Sequence, residues 1–447
     1  MKRRDFVKAC AATSAVIGAG GIISSCRTPR GPVSGNAVTV IAAEGFNYNL
    51  METMMAAGRL PHLAAVARRG CFVPLATTTP AEPETAWATF ATGLSPGGHG
   101  IFGRFARDPG TYRPCLNDVR CQGGRSWGNY VIWPPTFANH LCGEPFWVRA
   151  ARSGVTTTGL WVPSSFPVPQ EDNLSLIAGW GTPDGLLSPG TYYYFASHAA
   201  MSDRTTPAGG VWRKLSFRGA VARAALEPPV EVGGPPVTVE FDISLRGVLR
   251  LKIGDQIQEV QEKTFSPWFT FAFGRGPLGR YRAAGRFYVI KAWPEVLVYL
   301  QPLDLDPRDD RIPFAAPLEM GKELAAAGPL ATRGRVPDLA ALADGVIGTG
   351  VIAAQWVAAQ DERRLMGLAA LERRRPRLAV YTSNGAADIA RVFWRFFDEG
   401  HPRYNPERFY SYADLFENSY QDLDRTVGIL TSSPSRTDAR VFVICPY

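Results

Sequence analysis

The sequence is poor in the residue types from which metal centres are commonly built. It has five histidines among 447 residues, and its seven cysteines include no C-x-x-C pair. The absence of that spacing excludes a structural zinc site of the C-x-x-C kind. The chain also has no internal repeats and no low-complexity tracts. Hydrophobic residues make up 46% and charged residues 20%, which is typical of a globular protein rather than a disordered chain or a membrane bundle.

The length and the charge set broad limits. A chain of 447 residues can bury a large core, either in one domain that carries an insertion or in two domains. The formal net charge of +8 comes mostly from arginine. This balance favours a scattered basic surface, and it leaves an anionic ligand or an anionic membrane surface open as alternatives.

The N-terminus has the pattern of an export signal. A charged head contains Arg3 and Arg4, and the run from Ala9 to Ile23 is uncharged, too short and too rich in small residues to span a bilayer. Residues 1–26 therefore predict a twin-arginine signal and a periplasmic or other extracytoplasmic location. The residues ending at Cys26 also fit a bacterial lipoprotein box. Acylation of Cys26, with a membrane anchor as its consequence, stays open.

Export changes how the other cysteines are interpreted. An oxidising compartment permits disulfides, and Cys115, Cys121 and Cys142 lie close enough in sequence for one pair among them. The sequence does not decide which two would pair.

The order of elements predicts an α/β fold. Short β-branched runs such as Val38–Ala43 alternate with helical segments, which is typical of a mostly parallel sheet with helices on both faces. Further strands are expected at 155–162, 377–382 and 441–444, and helices at 49–69 with a break near 58–61, 85–92, 146–152, 337–372, 387–397 and 412–430.

The residue pattern along the chain also predicts its division into domain segments. After a linker at 27–36, the first part of the α/β domain covers 37–208, and alternating aromatic runs separated by Gly and Pro indicate a β-rich insertion at 209–304. The second part of the α/β domain covers 305–447. Its last strand is followed at once by Cys445, Pro446 and Tyr447, which indicates a shortened C-terminus.

Four stretches in sequence order carry a family resemblance. They are Gly58–Leu63 with Gly70; Ala86–Thr89 leading to Thr92-Gly93, Pro96 and His99–Phe102; Val162-Pro163 with Phe166-Pro167 and Gly179–Asp184; and Phe393–Phe396 with Asp398, His401 and Pro402. Together they resemble the type I phosphodiesterase/nucleotide pyrophosphatase proteins of the alkaline phosphatase superfamily. The resemblance implies the fold of that superfamily and a site for two metal ions, usually zinc, that clamp a phosphate ester.

Several positions depart from the family pattern. The first metal ligand, normally Asp, is Glu44. The position of the nucleophile is Pro83, which has no hydroxyl, and Thr85 is the nearest weak candidate, although packing or capping a helix suits it better. The Asp and His of the second motif are replaced by Ala387 and Arg391, with Asp388 one residue away.

The remaining ligands do not compensate for these losses. The Asp-His pair of the third motif is Pro446 and Tyr447. In the family, His62, His99 and His401 stand at structural positions, and His140 and His198 suit a surface better than a metal centre. Glu44 and Asp388 are thus weak metal candidates. Because a buried Glu44 would lack the metal charge, we expect Arg391 to pair with it.

Three functional interpretations remain open. The first is a non-catalytic or decayed homologue that binds a partner in the cell envelope. The second keeps Glu44, Asp388 and Arg391 as a pocket for a phosphate-containing small molecule, with no cofactor. The third is an active metal-dependent phosphodiesterase with two zinc or other divalent ions. No pattern in the sequence indicates a nucleic acid as partner.

Overall fold

The protein is described by a computed structural model that covers residues 37–108, 110–117, 119–122, 125–127, 130–133, 135–244, 247–274, 280–309, 311–326, 332, 334, 336–432 and 439–447. The predicted export signal, the linker and Cys26 lie outside these residues. Among the helices described, none is long and apolar enough to cross a membrane.

The helices are α1 (Tyr48–Ala56), α2 (Pro61–Arg69), α3 (Pro83–Thr92), α4 (Pro96–His99), α5 (Phe146–Arg152), α6 (Leu318–Ala326), α7 (Leu339–Ala343), α8 (Thr349–Arg374), α9 (Gly385–Phe393) and α10 (Phe409–Ser432), with 3₁₀ turns at Trp394–Phe396 and Pro406–Arg408.

The strands are β1 (Val38–Ala43), β2 (Phe105–Arg107), β3 (Pro114–Leu116), β4 (Val119–Gln122), β5 (Arg125–Trp127), β6 (Tyr130–Trp133), β7 (Thr136–Asn139), β8 (Thr157–Val162), β9 (Leu174–Ala178), β10 (Tyr193–Ala196), β11 (Arg204–Thr205), β12 (Val211–Lys214), β13 (Val221–Leu226), β14 (Val237–Asp242), β15 (Val248–Ile253), β16 (Gln256–Gln261), β17 (Phe269–Phe273), β18 (Tyr281–Gly285), β19 (Phe287–Lys291), β20 (Leu297–Leu300), β21 (Asp304–Leu305), β22 (Ala315–Ala316), β23 (Leu378–Ser383) and β24 (Arg440–Ile444).

The central sheet has the strand order β22-β9-β8-β23-β1-β24. All neighbours from β9 to β24 are parallel, and only β22 runs antiparallel to its neighbour. Every residue of β8 is buried, as are all but the first residue of β1 and β23. Because successive side chains point to opposite faces, both faces of the sheet are covered. The predicted α/β class with a mostly parallel sheet is confirmed.

A second part of the chain is rich in antiparallel strands. It comprises a five-stranded sheet (β11-β12-β10-β20-β19), a four-stranded sheet (β13-β14-β15-β16) and a three-stranded sheet (β17-β18-β21). Strands β12 to β20 fall inside the predicted insertion. However, β10 precedes position 209 and pairs with β20, so the five-stranded sheet already includes chain from Tyr193 onwards. The domain boundaries themselves stay predictions.

Some expectations about elements need correction. The helix expected from Thr85 begins at Pro83, because proline, which has no N–H, suits the first turn of a helix. The single helical segment expected at 337–372 is split into α7 and α8 around Gly345, whose φ is +71°. Strands β2 to β7 were not expected at all, since runs of three or four residues are too short to show alternation.

The disulfide that the spacing of Cys115, Cys121 and Cys142 permits does not form in the structure. Cys115 and Cys142 are free thiols. Every possible pair among the three cysteines would need at least one of them, so no such pair forms. Cys115 lies in the β2–β3 hairpin and directs its Sγ towards the Ala106 carbonyl, whereas Cys142 follows β7 and lies near Gly100. Proximity in sequence did not bring the two thiols together, because they belong to different elements.

Candidate functional site

The site is built where two neighbouring strands end at the same edge of the central sheet. Strands β1 and β23 are parallel, with Ala43 opposite Ser383. Glu44 follows the first strand, and Asn384 follows the second and precedes α9. Because carboxyl ends of parallel strands meet at one edge, this register brings Glu44 to the start of α9.

A close backbone approach fixes this arrangement. Gly45 has a φ of +82°, and a Cβ placed on it would lie 2.5 Å from the Cα of Ala387. The N–H of Ala387 donates a hydrogen bond to the Glu44 carbonyl at 3.2 Å. Glycine is therefore required at position 45 for sterics and for conformation. Ala387, to which the resemblance assigns a ligand position, packs against the backbone of Gly45.

The Arg391 guanidinium joins two buried carboxylates. It forms an ion pair with Oε1 of Glu44, and its Nη1 lies 3.2 Å from Oδ1 of Asp388. Asp388 and Arg391 are three residues apart in α9 and so share one face of the helix. The expected pairing of Arg391 with Glu44 is therefore present, and Asp388 belongs to the same cluster.

The other oxygen of each carboxylate is also engaged. Trp87 donates its Nε1–H to Oε2 of Glu44 at 3.3 Å, and Asn384 donates its side-chain N–H to Oδ2 of Asp388 at 3.0 Å. The Glu44 and Asp388 side chains are 2% and 1% exposed, against 26% for Arg391. Every carboxylate oxygen of the cluster thus accepts a hydrogen bond from a protein donor.

The charges hold the guanidinium in its cationic form. Burial alone would lower the pKa of Arg391, but the neighbouring negative charges of Glu44 and Asp388, together with the Glu44 hydrogen bond, raise the pKa above its ordinary value. Glu84, in the first turn of α3, adds a further negative charge nearby. A permanent cation between two buried anions offsets part of their desolvation.

Helix α3 carries Pro83, the position to which the resemblance assigns the nucleophile. Pro83 begins this helix and offers no hydroxyl. Thr85 is fully buried, and its Oγ1 makes no hydrogen bond to any described residue. It does not cap the helix, because the cap position is Glu82. Of the two structural roles considered for Thr85, packing remains and capping is wrong.

The histidine closest to α3 is a structural one. The His99 side chain is buried, and its Nδ1 accepts the N–H of Ile101 at 3.1 Å. The proton therefore sits on Nε2, which lies 2.9 Å from Thr89 Oγ1. Burial lowers the pKa of His99, so the ring is neutral. His62 packs against Gly428.

The residues of this site do not fit the two metal ions that the resemblance implies. Each of the four carboxylate oxygens of Glu44 and Asp388 already accepts a hydrogen bond from a protein donor. A guanidinium stands between the carboxylates, and it would repel a divalent cation. Within the described ranges, no group of three or more His, Cys, Asp or Glu side chains is arranged to hold a metal.

A second buried carboxylate follows β9. Asp184 accepts the backbone N–H groups of Leu186, Ser188 and Thr191 at 2.7 to 2.9 Å, and its Oδ2 lies 2.8 Å from Ser188 Oγ. Burial raises the pKa of Asp184 to about 6, although these donors act in the opposite direction. Asp184 therefore organises the loop that follows the third resembling stretch.

Comparison with known proteins agrees with this architecture. The fold is that of the alkaline-phosphatase-like α/β proteins. More specifically, residues 38–230 match the family model of type I phosphodiesterase / nucleotide pyrophosphatase and form a domain of that family. Searches of curated proteins and of solved structures gave no match.

Sequence reasoning found three members of the cluster and missed two. Glu44, Asp388 and Arg391 were named from their positions relative to the family motifs. Trp87 and Asn384, which satisfy the remaining oxygens, were not assigned to the site. Asn384 did carry a signal, because Asn directly before a helix is a common cap residue. Its contact with Asp388 depends on side-chain direction, which the sequence does not encode locally.

Proposed function

We propose that this protein is a non-catalytic member of the type I phosphodiesterase group, with a binding role in place of phosphate-ester hydrolysis. One observation carries the proposal: Arg391 bridges Glu44 and Asp388, and protein donors engage all four carboxylate oxygens. Metal-assisted phosphoryl chemistry needs open ligand oxygens and an accessible nucleophile. Pro83 supplies no nucleophile, and Thr85 is fully buried.

The same cluster argues against a pocket for phosphate. Two carboxylates and one guanidinium give it a net charge of minus one, and Glu84 lies nearby. An incoming phosphate would have to displace carboxylates that hold both arms of the guanidinium. Loss of these contacts would leave buried anions without a partner, which is costly.

The experiment is a zinc-dependent hydrolysis assay with bis(p-nitrophenyl) phosphate, combined with metal analysis of the purified protein. We expect no zinc-dependent turnover above that of the Glu44→Gln variant, and less than one zinc per chain. Two tightly bound zinc ions, with turnover that Glu44→Gln abolishes, would establish the active phosphodiesterase instead.

We also propose that the chain is exported through the twin-arginine route, on the strength of Arg3, Arg4 and the uncharged run that follows. The test is cell fractionation of the full chain. We expect the Arg3→Lys/Arg4→Lys variant to stay in the cytoplasm, and a Cys26→Ala variant to show whether membrane association needs the thiol. An unchanged distribution in the double variant would contradict export by this route.

A further inference from the structure

A small polar cavity lies between helix α8 and the antiparallel sheets. Its volume is about 30 Å³. Gln355 and Glu362 line it from α8, and Arg286 lines it from the junction of β18 and β19. Phe265 and Ala358 are among the apolar residues of its wall. Amide and charged side chains from both parts of the fold therefore meet at this cavity.

A chain of hydrogen bonds fixes which end of the Gln355 amide faces the cavity. The Tyr299 hydroxyl donates to Oδ2 of Asp338 at 2.7 Å, because an ionised carboxylate only accepts. The Tyr299 oxygen is then an acceptor, and Gln355 donates its Nε2–H to it at 3.1 Å. The oxygen of the amide must point the other way. Gln355 is 5% exposed, so this oxygen is directed into the cavity rather than into bulk solvent.

Three polar atoms of the lining are buried and make no hydrogen bond within the described part of the chain. They are Oε1 of Gln355, Oε2 of Glu362 and Nε of Arg286. The other carboxylate oxygen of Glu362 pairs with Nη1 of Arg286 at 3.2 Å, so these two side chains lie side by side. Buried polar atoms in proteins nearly always have a partner, either in the protein or in ordered water. Two acceptors and one donor together favour an occupant that both donates and accepts.

The charges around the cavity favour a neutral occupant. Burial raises the pKa of Glu362, whereas the guanidinium of Arg286 acts to lower it. Asp304 and Arg363 act on the same carboxyl with opposite signs. Two acids and two arginines thus offset one another, and an added ion would be buried without a counter-charge. The volume is also small, since one water molecule needs about 10 to 15 Å³ of such space.

We propose that this cavity is a hydration site in which two water molecules join α8 to the antiparallel sheets. One water donates to Oε1 of Gln355, the other donates to Oε2 of Glu362, and one of them accepts the Nε–H of Arg286. The waters extend the hydrogen-bond chain that begins at Asp338 and passes through Tyr299. They are structural parts of the contact between the two parts of the fold, whatever the activity of the candidate site.

The direct test is a high-resolution crystal structure of the full chain, with a second crystal soaked in rubidium chloride. We expect two density peaks in the cavity, at about 2.7 to 3.2 Å from Oε1 of Gln355 and Oε2 of Glu362. We expect no anomalous signal from rubidium there. In crystals of Gln355→Met, the peak next to position 355 should be lost, because the methionine side chain offers no comparable acceptor.

A filling variant tests the same site in solution. Ala358 lines the cavity and is half-buried, whereas Ala369 lies on the same helix and is exposed. Ala358→Leu displaces the waters and leaves buried acceptors without a donor. We expect it to lower the apparent melting temperature by roughly 1 to 4 °C relative to Ala369→Leu. Filling a cavity that holds no water would raise it instead.

A double variant separates loss of water from simple overcrowding, which also destabilises. If the loss arises from the amide oxygen of Gln355, the effect of Ala358→Leu should fall to about half or less in a Gln355→Met background. Four results would overturn the proposal. They are a cavity without density peaks, a rubidium peak, a higher melting temperature of Ala358→Leu than of Ala369→Leu, and an equal effect of Ala358→Leu in both backgrounds.

Discussion

Two regions at the carboxyl edge of the central sheet bury carboxylates, and they stabilise them differently. After β1, Glu44 and Asp388 share the guanidinium of Arg391. After β9, Asp184 is surrounded by three backbone N–H donors and the Ser188 hydroxyl. In the first region a fixed cation compensates the anions. In the second region hydrogen bonds do so, and burial still raises the pKa of Asp184 to about 6.

This difference separates two ways of stabilising buried carboxylates at one edge of a sheet. The Asp184 loop follows a stretch that carries the resemblance, and its acid accepts hydrogen bonds from that loop. The Glu44 cluster lies at positions to which the resemblance assigns metal ligands, and the Arg391 guanidinium supplies positive charge there. A guanidinium in this place stabilises the buried carboxylates and would repel a divalent cation.

The largest effect is expected for Arg391→Met. The substitution leaves Glu44 and Asp388 as neighbouring buried anions, so we expect it to lower the free energy of unfolding by about 3 to 5 kcal/mol at neutral pH. Urea denaturation measures it. The matched control is Arg373→Met, because Arg373 is 64% exposed in its ion pair with Glu323 and should contribute under about 1 kcal/mol. Equal losses in the two variants would contradict the bridging role of Arg391.

In the second region, the free energy of unfolding should depend on pH through the titration of Asp184. Asp184 has a pKa raised from 3.8 to about 6, so the folded state binds more protons than the unfolded state between these values. Its contribution is therefore fully present below about pH 4 and is lost as the pH rises to about 6, a change of at most about 3 kcal/mol.

The measurement is the free energy of unfolding from pH 3.5 to 7 for the wild type and for Asp184→Asn. Other acids contribute with the opposite sign, as for Glu171, whose pKa the Arg152 hydrogen bond lowers, so the difference between the two proteins carries the signal. The wild type should lose stability relative to the variant across this window. A difference that does not change with pH would show that hydrogen bonds fully offset the burial of Asp184.

The smallest effect is expected for Thr85→Val. Its Oγ1 is buried without a hydrogen bond to a described residue, so removing it should leave stability unchanged or raise it by up to about 1 kcal/mol. Thr89→Val, in the same helix, breaks the contact with His99 and should cost about 1 to 2 kcal/mol. If Thr85 were the nucleophile of an active enzyme, Thr85→Val would abolish the hydrolysis of bis(p-nitrophenyl) phosphate. That loss is measured by the activity assay and not by the unfolding experiment.

Much of the fold follows from local patterns. The runs at Val38–Ala43, 377–382 and 441–444 correspond to β1, β23 and β24. The first two are apolar because both faces of these parallel strands are covered, whereas β24 is only partly buried. Strands β2 to β7 carry no comparable pattern, because segments of three or four residues are too short to show a periodic alternation of apolar and polar side chains. The sequence likewise left a disulfide among Cys115, Cys121 and Cys142 open, because spacing along the chain says nothing about which elements become neighbours; Cys115 and Cys142 are free thiols.

The sequence by itself determined the class of fold, the lack of a side-chain hydroxyl at Pro83 and the presence of a cation at Arg391. These are matters of residue type and order. Tertiary structure decided that Arg391 joins Asp388 to Glu44 and that Trp87 and Asn384 complete the hydrogen bonds of the two carboxylates. The reason is that Glu44 acquires its partners only when distant segments meet, because Trp87 and Arg391 lie 43 and 347 positions from it in the chain.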